Sequence, residues 1–227
     1  MKWRKWEELP QNMQTTAVKE YYTILSHKRG SLIAKRIFDI VAATIATVIL
    51  SPLMGVIAIL IKLDSKGPVL FRQVRVTQYG REFRICKFRT MVNHADRMGS
   101  QVTTQNDMRV TKVGKKLRGC RLDELPQLFN IISGDMTFVG TRPEVPKYVA
   151  AYTEEMKATL LLPAGVTSEA SILYKDEERL LADAANADET YIKEVLPQKM
   201  KYNLESIRKF GFLKELVTMV QTVLAVL

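Results

Sequence analysis

Residues 40–61 read IVAATIATVILSPLMGVIAILI, a 22-residue run from Ile40 to Ile61 without one charged side chain. A straight helix of that length reaches about 33 Å, close to the ~30 Å hydrocarbon thickness of a bilayer. Ser51-Pro52 stands at its middle, where proline removes a backbone donor and bends a helix. Each half then covers only about 15 Å, half the bilayer core. Lys28, Arg29, Lys35 and Arg36 precede the run, and Lys62, Lys66, Arg72 and Arg75 follow it. Basic residues at both ends place both ends on the cytoplasmic side. A re-entrant helix–break–helix hairpin, entering one leaflet and returning, satisfies both facts. A single span is the alternative, and a helix buried in a soluble core the third.

Asp39 lies at the mouth of this run. An acid there is costly unless paired, so it is expected either to pair with Arg36 or Lys35 or to remain an interfacial charge. Residues 1–31 form a polar, basic extension with Lys2, Arg4 and Lys5 around Trp3 and Trp6. It does not read as a cleaved signal peptide, because the apolar run begins too late and no small-residue cleavage site follows.

Past residue 64 the texture changes. Pro68–Val76 and Glu82–Arg89 alternate apolar and polar residues around the turn signal Tyr79-Gly80, which predicts a small β-hairpin. Helical periodicity follows at about 92–99, 108–118, 124–133, 144–160 and 176–196. Residues 202–227 form an amphipathic C-terminal helix, suited to packing on the core or to lying on a membrane. The fold class is α+β, mainly helical. Its parts are the extension 1–31, the membrane segment 32–64, a body over 65–200 and the C-terminal helix 201–227. The 227 residues suffice for one compact domain and a membrane element.

A net charge of +10 favours an anionic partner: nucleic acid, an acidic membrane or a phosphorylated substrate. A soluble nucleic-acid binder is disfavoured because Ile40–Ile61 would need hiding from water. Cys86 and Cys120 form no Cys-x-x-Cys pair, and neither of the two histidines, His27 and His94, stands at ligand spacing from them. That argues for a reducing compartment and against a zinc site. A metal used here is expected to be a hard, oxygen-bound one.

Basic residues crowd among turn residues between Phe83 and Arg142: Lys87-Phe-Arg89-Thr-Met, Arg118-Gly-Cys-Arg121 and Gly140-Thr-Arg142-Pro143. Arginines held by glycine and proline suit bidentate phosphate binding, although no Walker A or GxGxxG motif is present. Within this setting Asp123-Glu124 precedes the helical pattern Leu-Pro-Gln-Leu-Phe-Asn. Two readings coexist. Asp123 is an N-cap with Glu124 a first-turn acid, or one carboxylate attacks phosphorus or binds Mg²⁺ while the other handles a proton.

The ordered set Lys35-Arg36-x-x-Asp39, Ser51-Pro52, Gly67-Pro68, Phe71-x-Gln73, KFRTM at 87–91, LDELPQ at 122–127, Gly134-Asp-Met136 and Arg142-Pro143 resembles the bacterial sugar transferases known as monotopic phosphoglycosyl transferases. The resemblance runs from about residue 32 to 170 and more loosely to the end. It implies transfer of a phospho-sugar from a UDP-sugar to a polyprenol phosphate, usually undecaprenyl phosphate, with release of UMP. This would be the first membrane step of bacterial glycan or exopolysaccharide biosynthesis. It implies Mg²⁺, one leaflet of the bacterial inner membrane, and a catalytic body on the cytoplasmic face. Carried over, Asp123 is the nucleophile and a Mg²⁺ contact, and Glu124 assists attack by the lipid phosphate. Lys87, Arg89, Arg118, Arg121 and Arg142 are candidates for phosphate binding, with Arg142-Pro143 near the nucleotide. A homo-oligomer is left open.

Gly140-Thr-Arg-Pro143 stands where many members have Gly-Pro-Arg-Pro, and residues 163–171 depart from Pro-Gly-Ile-Thr-Gly. In that second segment Ser168, Glu169 and Ser171 are either sugar contacts or a plain loop. The rival function is a non-catalytic basic membrane module that recruits anionic lipid or nucleic acid.

Overall fold

The computed structural model describes residues 3–93, 95, 107–174 and 186–226. Thr15 opens the first helix, α1 (Thr16–Ser26), by accepting a hydrogen bond from the Val18 amide. The long apolar run belongs to α2 (Arg29–Asp64), 36 residues long. Helical hydrogen bonding was expected to break at Ser51-Pro52, yet α2 continues through Pro52. The carbonyl that Pro52 cannot serve, that of Val48, accepts the Ser51 hydroxyl at 2.8 Å. A serine before the proline thus supplies the missing donor.

One stripe of α2 touches the rest of the molecule. Leu32, Lys35, Asp39, Ala43, Ile57 and Ile61 are buried along it, and Ala46, Leu50 and Met54 pack beside them. Their spacing of three and four residues is that of a single helical face. The opposite face is apolar and exposed, with Val48 and Ile49 each 68% accessible and Leu63 79%. By length and composition α2 is able to cross a membrane.

The predicted hairpin is present as β1 (Leu70–Val76) and β2 (Glu82–Phe88), antiparallel from Leu70 opposite Phe88 to Val76 opposite Glu82. Tyr79 and Gly80 close it with positive φ. The chain continues through α3 (Lys112–Gly119), α4 (Gln127–Ser133), β3 (Met136–Val139), α5 (Pro146–Val149), β4 (Ala164–Thr167), α6 (Glu169–Leu173), α7 (Ala187–Thr190), α8 (Leu196–Arg208) and α9 (Phe212–Val226).

β3 and β4 pair in parallel, Met136 opposite Ala164, a second sheet that the sequence reading did not contain. Four residues are too few for a period-2 pattern to emerge. At its end the chains cross so closely that a Cβ on Gly165 would lie 2.2 Å from the Gly140 carbonyl oxygen.

Helix limits differ from expectation in several places. The segment 92–99 lies largely outside the described residues, and so does the first half of 176–196. The span 144–160 is a short α5 followed by a 3-10 segment, Met156–Leu161. Beyond Tyr202, α8 and α9 are separate helices. α8 buries Met200, Leu204 and Ile207, whereas α9 leaves Leu213, Val217, Val220, Val223 and Leu224 exposed.

The basic extension is not a tail. Met13, Val18, Tyr21 and Leu25 are essentially inaccessible and join Leu161, Leu196, Met200 and Ile207 in the largest apolar cluster. Two smaller clusters lie under α2. Ala43 meets Phe83, Ile85, Leu128, Ile131 and Met136 in one. Ile57 and Ile61 meet Phe88 and Leu117 in the other.

Candidate active site

The acidic pair is positioned from the far end of α2. Asp64, the last residue of that helix, accepts from the Val113 amide at 3.1 Å, and Thr111 accepts from Gly114 at 3.0 Å. Together they satisfy two orphan donors at the start of α3. α3 ends at Gly119, Arg121 adopts a left-handed conformation (φ 55°), and Leu122–Glu124 form one 3-10 turn. α4 begins only at Gln127, after Pro126. Asp123 is therefore not the N-cap of α4, because the left-handed Arg121 and Pro126 give the pair a turn of its own.

α4 fixes that turn against the hairpin. The Asn130 carboxamide accepts from the Cys86 amide at 2.8 Å and donates to the Arg84 carbonyl at 3.0 Å. Lys87, on the same strand, then reaches Glu124 Oε1 at 3.0 Å. Arg142, on the loop after β3, donates from both guanidinium nitrogens to Glu124 and from Nη1 to the Val166 carbonyl at 3.3 Å. Arg121 Nη1 lies 3.9 Å from Glu124 Oε1. Three cations from three segments thus meet at one carboxylate.

Asp123 is 8% exposed. Burial raises its pKa above the ordinary carboxylate value and the neighbouring Glu124 adds to that, while Lys87, Arg118 and Arg142 oppose it. Burial would raise Glu124 too, but Arg142, Lys87 and Arg121 hold it well below the usual range. Lys87 is pushed down by burial against the pull of Glu124. The pair therefore divides into a buried, more basic carboxylate and one kept ionised by its cations.

The Arg142 loop is braced from behind. Arg75 donates to the Pro143 carbonyl at 3.0 Å and approaches Glu144 at 4.0 Å. Buried Glu144 accepts the Tyr191 hydroxyl at 2.5 Å, and Lys199 donates to Tyr191 at 3.0 Å and lies 3.8 Å from Glu144. Tyr191 and Lys199 carried no sequence signal, since they sit far along the chain in helical segments without a motif. Asn130 was visible only as part of the helical pattern after Pro126.

The remaining candidates lie elsewhere. Arg89 is 5% exposed and donates to the Ser65 and Lys66 carbonyls and the Ser65 hydroxyl, so it ties down the end of α2 rather than joining Glu124. A Cβ on Gly67, whose φ is +131°, would run into its guanidinium. Lys35 donates to the Val139 carbonyl and pairs with Glu215 of α9 at 2.6 Å. Arg36 holds the Ile131 and Ile132 carbonyls at the end of α4. Asp39 accepts from the Thr137 hydroxyl and the Phe138 amide. The expected partners of Asp39, Arg36 and Lys35, are thus engaged with other groups, and all three residues dock α2 onto α4 and β3. Ser168 caps α6 through the Ser171 amide, and Glu169 pairs with Lys214 at 2.9 Å.

Among the described residues, no group of three or more His, Cys, Asp or Glu side chains is placed to hold a metal ion. Asp123 is a single carboxylate, and Glu124 is surrounded by cations. That donor set fits Mg²⁺ only as an ion shared with substrate phosphates, the usual way this metal is held beside phosphorylated ligands.

Residues 30–227 match the family described as bacterial sugar transferase. The chain belongs to the bacterial sugar transferases. Among relatives of this sugar transferase is the UDP-N-acetylgalactosamine-undecaprenyl-phosphate N-acetylgalactosaminephosphotransferase of Aeromonas hydrophila. It is 38% identical over 85% of this chain and 43% of its own length. The UDP-glucose:undecaprenyl-phosphate glucose-1-phosphate transferase of Escherichia coli K12 is 37% identical over 78% of this chain and 36% of its own. A protein of the same description from Caulobacter vibrioides is 43% identical over 52% and 48%. The chain thus spans less than half the length of these relatives. The family match begins at residue 30, so the buried N-terminal segment of this sugar transferase lies outside it.

Proposed function

We propose that this chain transfers a sugar 1-phosphate from a UDP-sugar to a polyprenol phosphate, undecaprenyl phosphate by analogy with the relatives' substrates, and releases UMP. The observation that carries the reading is the buried Asp123 beside Glu124 with Lys87, Arg121 and Arg142 gathered at the pair. Relatives named for this transfer support it.

In the first step a carboxylate oxygen of Asp123 attacks the β-phosphorus of the UDP-sugar. The bond to the bridging oxygen breaks, and UMP leaves with its electron pair. The sugar phosphate remains on Asp123 as an acyl phosphate. In the second step an oxygen of the polyprenol phosphate attacks the same phosphorus and the Asp123 carboxylate departs. Burial keeps the Asp123 oxygen basic and poorly solvated, which favours nucleophilic attack. Lys87, Arg142, Arg121 and Arg118 screen the incoming phosphates and the charge that develops on the phosphoryl oxygens. Mg²⁺, when bound with the diphosphate, supplies further neutralisation, and Asp123 is the protein carboxylate that would contact it.

The membrane reading rests on α2. Arg36 near its start and Asp64 at its end both bond to the same body. With both ends bound to one body, a bend at Pro52 would let α2 enter a single leaflet and return, with that body on the cytoplasmic face. The exposed apolar face of α9, joined to α2 by Lys35–Glu215 and by the Phe38–Phe212 ring contact, extends the lipid-facing surface.

The test is UMP release by the purified chain from UDP-N-acetylgalactosamine and from UDP-glucose, with undecaprenyl phosphate and Mg²⁺. Release that depends on the lipid and is lost in Asp123→Asn is expected. Undiminished turnover by Asp123→Asn would overturn the nucleophile assignment.

A further inference from the structure

Beside a nucleophile, Glu124 occupies the place of a proton acceptor, yet its surroundings are those of an anion site already filled. Lys87 donates to Oε1 at 3.0 Å. Arg142 donates to Oε1 and, at 3.3 Å, to Oε2, and Arg121 lies 3.9 Å from Oε1. Both oxygens are engaged by donors from β2 and from the loop after β3, and a cation from the turn itself stands close by. An arginine fork and an ammonium closing on one anion is also how proteins hold a phosphoryl group.

We propose that Glu124 is a positioning residue, an internal stand-in for phosphate that keeps Lys87, Arg121 and Arg142 gathered at the reacting phosphorus. It does not take the proton of the lipid phosphate. The inference rests on the two-step transfer proposed above and assigns Glu124 a different part in it. A proton acceptor for the lipid is needed in the second step alone. A template for the cations is needed in both, because the same phosphorus is transferred twice and its oxygens need the same screening each time. Four cations, Lys87, Arg118, Arg121 and Arg142, act on the two carboxylates.

The two roles separate in a single-turnover experiment without lipid. Full-length protein is mixed with UDP-N-acetylgalactosamine or UDP-glucose, UMP is followed by rapid quench, and the retained sugar phosphate by intact-protein mass. The wild type is expected to release one UMP per chain with a matching mass increase. In Glu124→Gln the rate of that burst should fall about 10- to 100-fold, the effect of losing charge-assisted contacts. A Glu124→Gln burst of normal rate, with the adduct then persisting after undecaprenyl phosphate is added, overturns the proposal in favour of a second-step base. A normal burst followed by normal transfer overturns it as well. If Glu124→Gln does not fold, Glu124→Asp keeps the charge but withdraws it by one methylene, and a normal burst there is equally fatal. A wild type that releases no UMP from either sugar removes the transfer reading itself, an outcome distinct from failure of the variants alone.

Discussion

Burial raises the Asp123 carboxyl while Arg142, Lys87 and Arg121 hold Glu124 ionised, so two adjacent acids differ in basicity through their neighbours alone. Asp123→Asn keeps the shape and removes the proposed nucleophile. Its single-turnover UMP release should fall by roughly three orders of magnitude or more while the chain stays folded, checked by rapid quench and by circular dichroism. Arg89 behaves differently. With its guanidinium on the Ser65 and Lys66 carbonyls, Arg89→Met should destabilise the protein by roughly 2–4 kcal/mol. Denaturant titration measures that loss, and intact stability would argue that the end of α2 is held otherwise. The sequence motif could not separate Arg89 from Lys87. Alternation along β2 places both on one face, but β2 ends at Phe88 and the next side chain turns toward α2. Asp123 and Glu124 were legible because acids amid so many cations stand out, whereas their separation from α4 depended on the left-handed Arg121, which no local pattern announces.

At the scale of elements, α2 was the most legible feature and also the one whose detail surprised. Its apolar length is plain in the residue string, but its continuity through Pro52 depends on a hydroxyl that happens to face Val48. Arg29 and Lys62 are exposed at its two ends. Cysteines introduced at these positions in sealed inverted vesicles should both react with a membrane-impermeant maleimide, as expected for a helix that returns to its own side. Labelling of one end only would establish a span. The parallel β3–β4 pair was illegible because its strands are four residues long and owe their existence to each other, across the intervening residues 140–163. The brace behind Arg142 is of the same kind. Lys199→Met leaves Glu144 buried with one fewer cation and should cost about 3 kcal/mol in a denaturant titration.

For the molecule as a whole, the N-terminal segment and α8 close on one another in the largest apolar cluster. Tyr21 and Leu25 pack with Met200 and Ile207, and Arg4 stacks on Tyr79 at the hairpin turn. This arrangement was not read from residues 1–31, whose basic residues advertise a solvated segment although Val18, Tyr21 and Leu25 already share one helical face. A pH dependence follows from the contact between helices at the other side. Burial raises Glu215 to about 7, against the pull of Lys35 and with a push from Asp39. Between the ordinary carboxylate range and about 7, the folded chain keeps a proton that the unfolded chain has lost. Stability should therefore decline as pH rises through that window, and Glu215→Gln should flatten the decline in melting temperature. The attachment of α2 at both ends has a kinetic corollary. In the proposed membrane placement, a body pinned to α2 at Arg36 and again at Asp64 would have little freedom to rise or tilt, and the protein itself would set the height of Asp123 over the lipid headgroups. The proposed lipid acceptor would then arrive by diffusion within a plane. Turnover should scale with the number of acceptor molecules per unit area of bilayer, and diluting the vesicles in buffer at constant lipid composition should leave it unchanged.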